Sequence, residues 1–406
     1  MLSRNRLRHN TLEWQTLMAR GGLMILIVAA FVSMMDRSVM PPLVPMIAAD
    51  LGTSVEAVGH SLTVYAVAYA AFQLVWSTLA TRWGRIRVLT VSTAVSGVAN
   101  VGSALAADPL TYAVTCGLAG AAFAATITTV LIYFGDTQTM KQRAVATANL
   151  AAAVSIGLAA GTVGAGVIAQ WWSCRWVYVA IACGCAVLTV MLARLPEPVT
   201  GTSERLLVSI RRLAGNRWAL AILFFTVVEG VLLVGVFNYL PVALQAEGAS
   251  VLAAGLATAA FGVTVVVVSQ LMKLVLGRWP PWLLLLLAGL SIIAAYTVLT
   301  LIVSLGSVLA GTSLLGMAWA FGHTTIQTWM TDAVADSRAI GMAFFSISLF
   351  VGASIGAALG NVAASGGGFA VLFLAAAAVS VFFAAATSTA RARYRVREAP
   401  QEDSEG

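Results

Sequence analysis

Residues 282–304 read WLLLLLAGLSIIAAYTVLTLIVS, with no charged side chain. About 20 mostly apolar residues of helix cross the hydrocarbon core of a bilayer, and this stretch is long enough. In lipid the backbone polar groups must be satisfied within a helix or a closed barrel. A barrel would alternate apolar and polar residues over segments of about ten, whereas here the apolar run is continuous. The stretch therefore predicts a membrane-crossing helix. Working outward from it, comparable segments fall at 21–47, 57–80, 88–106, 111–134, 144–170 and 176–195, then at 218–245, 251–276, 306–330, 340–364 and 368–390. With 282–304 they make twelve candidate spans.

Composition agrees. Of 406 residues, 60% are hydrophobic and only 10% charged, and mean hydropathy is +0.92. Average soluble domains are about 25% charged; a water-soluble globule of this composition could not cover its surface. The net charge of +7 would suggest nucleic acid in a soluble chain, but here the basic residues cluster in short loops between apolar stretches. No nucleic-acid partner is expected. Three of the four cysteines, Cys116, Cys174, Cys183 and Cys185, lie in apolar stretches, which argues against a disulfide framework. The three histidines, His9, His60 and His323, are scattered, so no metal site is expected. With two lysines, Lys141 and Lys273, and no Gly-Lys dipeptide, a P-loop is missing from the sequence. No cofactor and no enzymatic activity are expected.

The loops orient the chain. Cytoplasmic loops of membrane proteins are enriched in Lys and Arg. If residues 1–20 are inside, all but two of the 23 basic residues fall on the cytoplasmic side. The exceptions are Arg175, outside, and Arg37, within span 1. Both termini are thus expected in the cytoplasm of a multi-pass plasma-membrane protein of the bacterial inner-membrane kind. The Arg-rich leader before span 1 reads as a cytoplasmic segment preceding an uncleaved span.

Residues 196–217, PEPVTGTSERLLVSIRRLAGNR, form the longest internal polar stretch. They divide the chain into a first bundle, 21–195, and a second, 218–390, with a cytoplasmic tail at 391–406. A shift of 196 positions places Pro45 on Pro241, Arg82 on Arg278, Gly120 on Gly316, Thr128-Thr129 on Thr324-Thr325 and Asp136 on Asp332. A shift of 195 places Arg143 on Arg338, Gly157 on Gly352 and Gly161 on Gly356. Two halves of equal topology imply a parallel repeat, an architecture that puts the substrate site between the halves near the midplane.

Ionisable groups at membrane depth are functional candidates. Three stand out: Asp36 and Arg37 in span 1 and Glu229 in span 7, with a formal sum of −1. Burial disfavours a charged carboxyl and a neighbouring guanidinium favours it. One acid is therefore expected to pair with Arg37, and the other to take up and release a proton. Pro41, Pro42 and Pro45 predict a disturbed helix in span 1, broken along a cavity or kinked for packing. Tyr65, Tyr69 and Gln73 share one face of span 2, and Trp319, His323 and Gln327 share one face of span 10. With Asn238 and Tyr239 of span 7 they are candidate substrate contacts on an apolar wall, or hydrogen-bonding links between helices. Glycines in spans 5 and 11 predict close helix packing.

The loop after span 2, residues 77–88, reads STLATRWGRIRV. It resembles the signature loop of the major facilitator superfamily, roughly G-x-L-A-D-R-x-G-R. Arg82, Gly84, Arg85 and Arg87 fit; Ser77 and Thr81 replace a glycine and an aspartate. Gly135-Asp136 followed by Arg143, and Arg175-Trp176 at span 6, extend the likeness over nearly the whole chain. The resemblance implies an all-α integral membrane protein, with twelve transmembrane helices in two pseudo-symmetric six-helix bundles. It also implies a cytoplasmic gate of Arg82, Gly84, Arg85, Asp136 and Arg143, with Arg85 paired to Asp136 and the latch weakened at Thr81.

The twelve-span drug:proton antiporters of that superfamily are the most similar subgroup. Their span 4 arginine and span 5 proline are replaced here, at Cys116 and Thr162. The resemblance implies a monomeric secondary transporter that exports small amphipathic or lipophilic compounds in exchange for protons, as multidrug antiporters do. Two alternatives stay open: an ion-coupled importer of an organic anion held at Arg37, and a non-transporting receptor on the same fold.

The loop charges predict topology directly. A fluorescent protein fused after residue 406 should fluoresce and a periplasm-dependent phosphatase fused there should be inactive, with the reverse result for fusions near Arg175.

Overall fold

The computed structural model describes residues 2–198, 206–275, 278–334, 338–366 and 368–394. The basic side chains of residues 1–20, Arg205 and residues 395–406 lie outside the described residues. Among the described residues, twelve helices are long and apolar enough to cross a membrane: Gly21–Asp50, Val55–Trp83, Arg85–Leu105, Pro109–Thr137, Val145–Trp171, Arg175–Leu192, Arg217–Ala246, Val251–Met272, Pro281–Leu301, Leu305–Ala333, Ile340–Gly366 and Phe369–Arg393. They are spans 1 to 12. Within the polar stretch between the halves a further helix runs Leu206–Gly215; it is too short to cross and went unread in the sequence.

Local chemistry sets the helix starts. Ser54, Asp108, Asn216 and Ser304 cap spans 2, 4, 7 and 10, each side chain accepting a backbone N–H of the first turn. Pro109 and Pro281 occupy first-turn positions where a missing N–H costs nothing. Asp108 also accepts from the Thr111 hydroxyl at 2.6 Å. The Thr111 side chain and backbone together hold its carboxyl below the usual carboxylate range.

The packing repeats between halves. Span 1 packs on 5, 2 on 4, 3 on 4 and 3 on 6; in the second half 7 packs on 11, 8 on 10, 9 on 10 and 9 on 12. Across the halves span 5 packs on 8 and span 2 on 11, a pair of contacts that the same six-span shift exchanges. The glycines show why. A methyl group on Gly157 would meet the Phe31 carbonyl and one on Gly161 the Met35 carbonyl; on Gly352 and Gly356 it would meet Val227 and Val231. The neighbours, like the glycines, are related by the repeat. Gly120 against the Tyr65 carbonyl and Gly316 against that of Phe261 form a third such pair. In lipid, helices associate through close packing rather than through the hydrophobic effect, so these glycines set how near the spans approach.

Span 1 is not broken. Pro41, Pro42 and Pro45 lie inside one continuous helix, Leu2–Asp50. From the other half, Gln245 Nε2 donates to the Pro42 carbonyl at 2.9 Å. The irregular helices lie elsewhere. Span 7 passes through a π segment, Val231–Val236, and a 3₁₀ turn, Phe237–Tyr239. Span 10 carries a π segment, Trp319–His323. Such π segments are frequent at functional sites.

The glycine seams make a stability prediction. Gly352→Ala should lower the thermal unfolding temperature in detergent, with a cost of about 1–3 kcal/mol for overpacking. Gly164→Ala, where a methyl group meets nothing, should be neutral or gain up to about 1 kcal/mol of helix propensity.

Candidate functional site

A cavity of about 180 Å³ lies between the halves, lined by spans 1, 2, 4 and 5 and by spans 7, 8, 10 and 11. The two sets of helices are again exchanged by the repeat. Its residues reach from the middle of the spans toward the end that carries the termini: Gln73 and Thr128 in the first half, His323, Gln327 and Ser346 in the second. The opposite end is closed. Among the described residues three hydrogen bonds join the halves, and all lie there. They are Gln245 to the Pro42 carbonyl at 2.9 Å, Asn361 Nδ2 with His60 Nδ1 at 3.3 Å, and the Tyr239 hydroxyl to the Gly59 carbonyl at 3.4 Å.

Of the candidate substrate contacts, Tyr69, Gln73, Asn238, Trp319, His323 and Gln327 line the cavity. Tyr65 and Tyr239 do not. Tyr65 faces into the first bundle and donates to Asp36 Oδ2 at 3.2 Å. Tyr239 is fully buried and belongs to the closed end. Gln73 Nε2 donates to the Thr128 hydroxyl, which ties one polar stripe to span 4. Trp319 stacks on His323, with ring centroids 4.0 Å apart and planes 14° apart.

The three intramembrane charges separate. Asp36 is buried in the first bundle, where Asn100 Nδ2 donates to Oδ1 at 2.8 Å and Tyr65 to Oδ2. Arg37, one residue on, turns about 100° around the helix and lines the cavity. Its guanidinium stands over the Phe350 ring, 5.0 Å from the centroid. Among the described residues no carboxylate lies within 4 Å of it, so the expected pairing with one of the acids is not formed. Glu229 is fully buried in the second bundle. Its Oε1 lies 3.3 Å from His323 Nδ1, but the contact lacks hydrogen-bond alignment. Both carboxylate oxygens stand without a donor among the described residues. The two acids thus share no open vestibule: each lies behind the cavity wall, in its own half.

The repeat sorts these contacts. Asn100 and Tyr296 occupy equivalent positions, as do Asp36 and Leu232. The Tyr296 hydroxyl donates to the Leu232 carbonyl, so a polar tie from the third helix of each half to the first occurs twice. Glu229 and His323 correspond to Ser33 and Ile127, where no such pair is possible. Arg37 corresponds to Leu233, which also lines the cavity. A contact present in both halves serves the fold. Glu229–His323 and Arg37 break the repeat, at membrane depth, where charge is costly.

At the termini end, Arg85 Nε lies 3.1 Å from Asp136 Oδ2, and Arg85 Nη1 donates to the Ala80 carbonyl at 2.5 Å. Arg82 and Arg143 are exposed, with the Arg143 guanidinium passing near Gly135. Thr81 turns to its own helix and donates to the Thr78 carbonyl at 2.7 Å. A carboxylate nonetheless sits at this loop, supplied from after span 6. Glu197 accepts from the backbone N–H groups of Arg85, Ile86 and Arg87, the last at 3.1 Å, and so neutralises the positive end of span 3. Gly84, at φ +107°, packs so closely that a Cβ would strike the Glu197 carboxylate. Glu197 and Asn100 were missed in the sequence. The acid in Pro196-Glu197-Pro198 and an isolated amide in an apolar span were the available signals.

Comparisons with known proteins follow this geometry. A family model described as the Major Facilitator Superfamily matches residues 26–347. No curated protein matches the chain by sequence. Among solved structures, the nucleoside transporter NupG superposes with a TM-score of 0.73 at 13% identity, covering 92% of this chain and 100% of that one. A bacterial homolog of the human lysosomal transporter Spinster, inward-facing and occupied, gives 0.73 at 17% identity over 93% and 98%. A D-xylose–proton symporter gives 0.70 at 13% identity over 90% and 97%. At these identities the likeness is one of fold.

The Glu197 contact makes a prediction. Glu197→Ala should destabilise the protein by about 1 kcal/mol at low ionic strength, the scale of an anion at a helix N-terminus. The loss, read by thermal unfolding in detergent, should shrink as salt screens the exposed carboxylate.

Proposed function

The chain belongs to the major facilitator superfamily and is a multi-pass membrane transporter, and from that premise we propose that it exports small amphipathic or lipophilic compounds in exchange for protons. It works as a monomer in the plasma membrane with both termini in the cytoplasm, an orientation supported by the loop charges. The described conformation is then open to the cytoplasm and closed outside. Export runs by alternating access: the outer contacts Gln245–Pro42, Asn361–His60 and Tyr239–Gly59 break as the cytoplasmic ends close.

The observation that carries this reading is the Glu229–His323 pair behind the cavity wall. The imidazole faces the cavity on one side and a donorless buried carboxylate on the other. Its two ring nitrogens suit it to pass a proton between water and acid. With the cavity open to the cytoplasm, Glu229 releases its proton inward through His323. With the cavity open outside, it is reloaded. Phe237, Phe261, Trp319, Phe345 and Phe350, with aliphatic neighbours such as Leu158, Leu233 and Val265, make the wall mostly apolar, which favours apolar cargo over sugars. Asp36, held by Asn100 and Tyr65, serves as an anchor between spans 1, 2 and 3.

Everted vesicles from an exporter-depleted host test this. With the lumen acidic, at least one member of a panel of acidic, neutral and basic aromatic compounds should accumulate, and collapse of the gradient should abolish accumulation. Glu229→Gln should lose gradient-driven accumulation yet keep counterflow. Movement of no panel member, or a Glu229→Gln protein that responds to the gradient as wild type does, contradicts the reading.

A further inference from the structure

The cavity holds one ionised side chain with nothing to answer it. Arg37 presents its guanidinium to the cavity. It stands over the face of Phe350, 5.0 Å from the ring centroid, which is itself stacked on Tyr69 at 3.7 Å. Every acid within the spans is placed elsewhere. Asp36 points into the first bundle with each oxygen already accepting a hydrogen bond, and Glu229 lies behind His323 in the second. The groups around Arg37 that could titrate are the phenols of Tyr65 and Tyr69 and, on the opposite wall, the His323 imidazole. All are neutral or cationic near neutral pH. The cavity therefore carries a surplus positive charge, although the three intramembrane charges counted together carry a surplus negative one.

An unpaired guanidinium at membrane depth is costly, and the cost grows when the cavity closes and loses its water. A guanidinium offers several N–H donors in a fixed fork that matches a carboxylate with two parallel hydrogen bonds. Facing it across the cavity are the stacked Trp319–His323 pair and Phe261, at 6.0 Å from Trp319. The site is thus bipartite, with a cationic fork on span 1 and an aromatic wall on spans 8, 10 and 11.

Resting on the transport reading above, we infer that the cargo is an organic monoanion: a carboxylate, taken by Arg37, on an aromatic or otherwise apolar body that lies against Trp319, His323 and Phe261. Binding brings the missing counter-charge, so the loaded cavity closes at less cost than the empty one. The carboxylate also confers selectivity, because a cationic amphiphile of equal size meets like charge at Arg37.

Three probes of one shape test this: 2-naphthoate, 2-naphthamide and 2-naphthylmethylamine, ionised as anion, neutral and cation near neutral pH. They are titrated calorimetrically, without any gradient, into the purified full chain in neutral detergent. The naphthoate should bind about ten- to a hundredfold tighter than the amide, as expected of a charge-assisted fork, and the amine more weakly than either. Arg37→Gln should abolish the preference for the acid over the amide; Arg37→Lys, a point charge, should keep part of it. An unchanged size-exclusion profile and unfolding temperature establish that each variant is folded. Equal binding of acid and amide, acid preference retained in Arg37→Gln, or no naphthoate binding up to its solubility limit overturns the inference. Because no proton gradient enters, failure here leaves export of neutral compounds standing. Failure of gradient-driven transport, conversely, leaves the anion site standing.

Discussion

Charge in the middle of a bilayer must be neutralised, hydrogen-bonded or put to use, and the three intramembrane charges divide along those lines. Asp36 is hydrogen-bonded and built into the first bundle. Glu229 is buried beside an imidazole that can reach water. Arg37 faces the cavity with only an aromatic ring beneath it. Much of the architecture keeps these groups apart yet close to one space; in the proposed reading, a proton and a cargo bound in different halves act on the same cavity. The closed outer end and the glycine seams provide the frame for that coupling. Backbone packed against glycine lets the spans within each half approach closely.

Pseudo-symmetry separates scaffold from site. Gly157 on Phe31 and Gly352 on Val227 are one contact made twice, as are Gly120 on Tyr65 and Gly316 on Phe261. The tie from Asn100 to Asp36 is matched by one from Tyr296 to Leu232. Where the halves diverge, the π segments of spans 7 and 10 lie beside the divergence: Val231–Val236 follows Glu229, and Trp319–His323 ends on its partner. These segments shift the register of the side chains around the pair. The pair has no counterpart in the first half, where Ser33 and Ile127 stand at the equivalent positions.

Much of this was legible in the residues. Twelve spans followed from hydropathy and length, and the six-plus-six arrangement from the coincidence of glycines, threonines and arginines at a fixed shift. Six of the eight proposed cavity contacts line the cavity, because residues spaced by four share a helix face. What periodicity could not say is which face is turned inward at each depth. Tyr65 shares a stripe with Tyr69 but one turn away meets Asp36, and Tyr239 ends the 3₁₀ turn of span 7 and belongs to the outer closure. The prolines do not break span 1: proline removes a backbone donor, yet the helix continues through all three. The pairing of Arg37 with an acid failed because formal charges were summed without their directions. Glu197 compensates for Thr81 across more than a hundred residues of sequence, a distance over which spacing carries no signal.

The central claim of the proposed reading is that one buried acid, Glu229, carries the coupling proton while Asp36 serves as an anchor. Infrared difference spectroscopy of the protein in lipid, scanned across pH, observes this at the bond concerned. A protonated carboxyl shows a C=O stretch that vanishes on ionisation. The account predicts a titrating carboxyl band that is lost in Glu229→Gln, retained in Asp36→Asn and displaced in His323→Gln. A band that survives in Glu229→Gln and disappears in Asp36→Asn would contradict it.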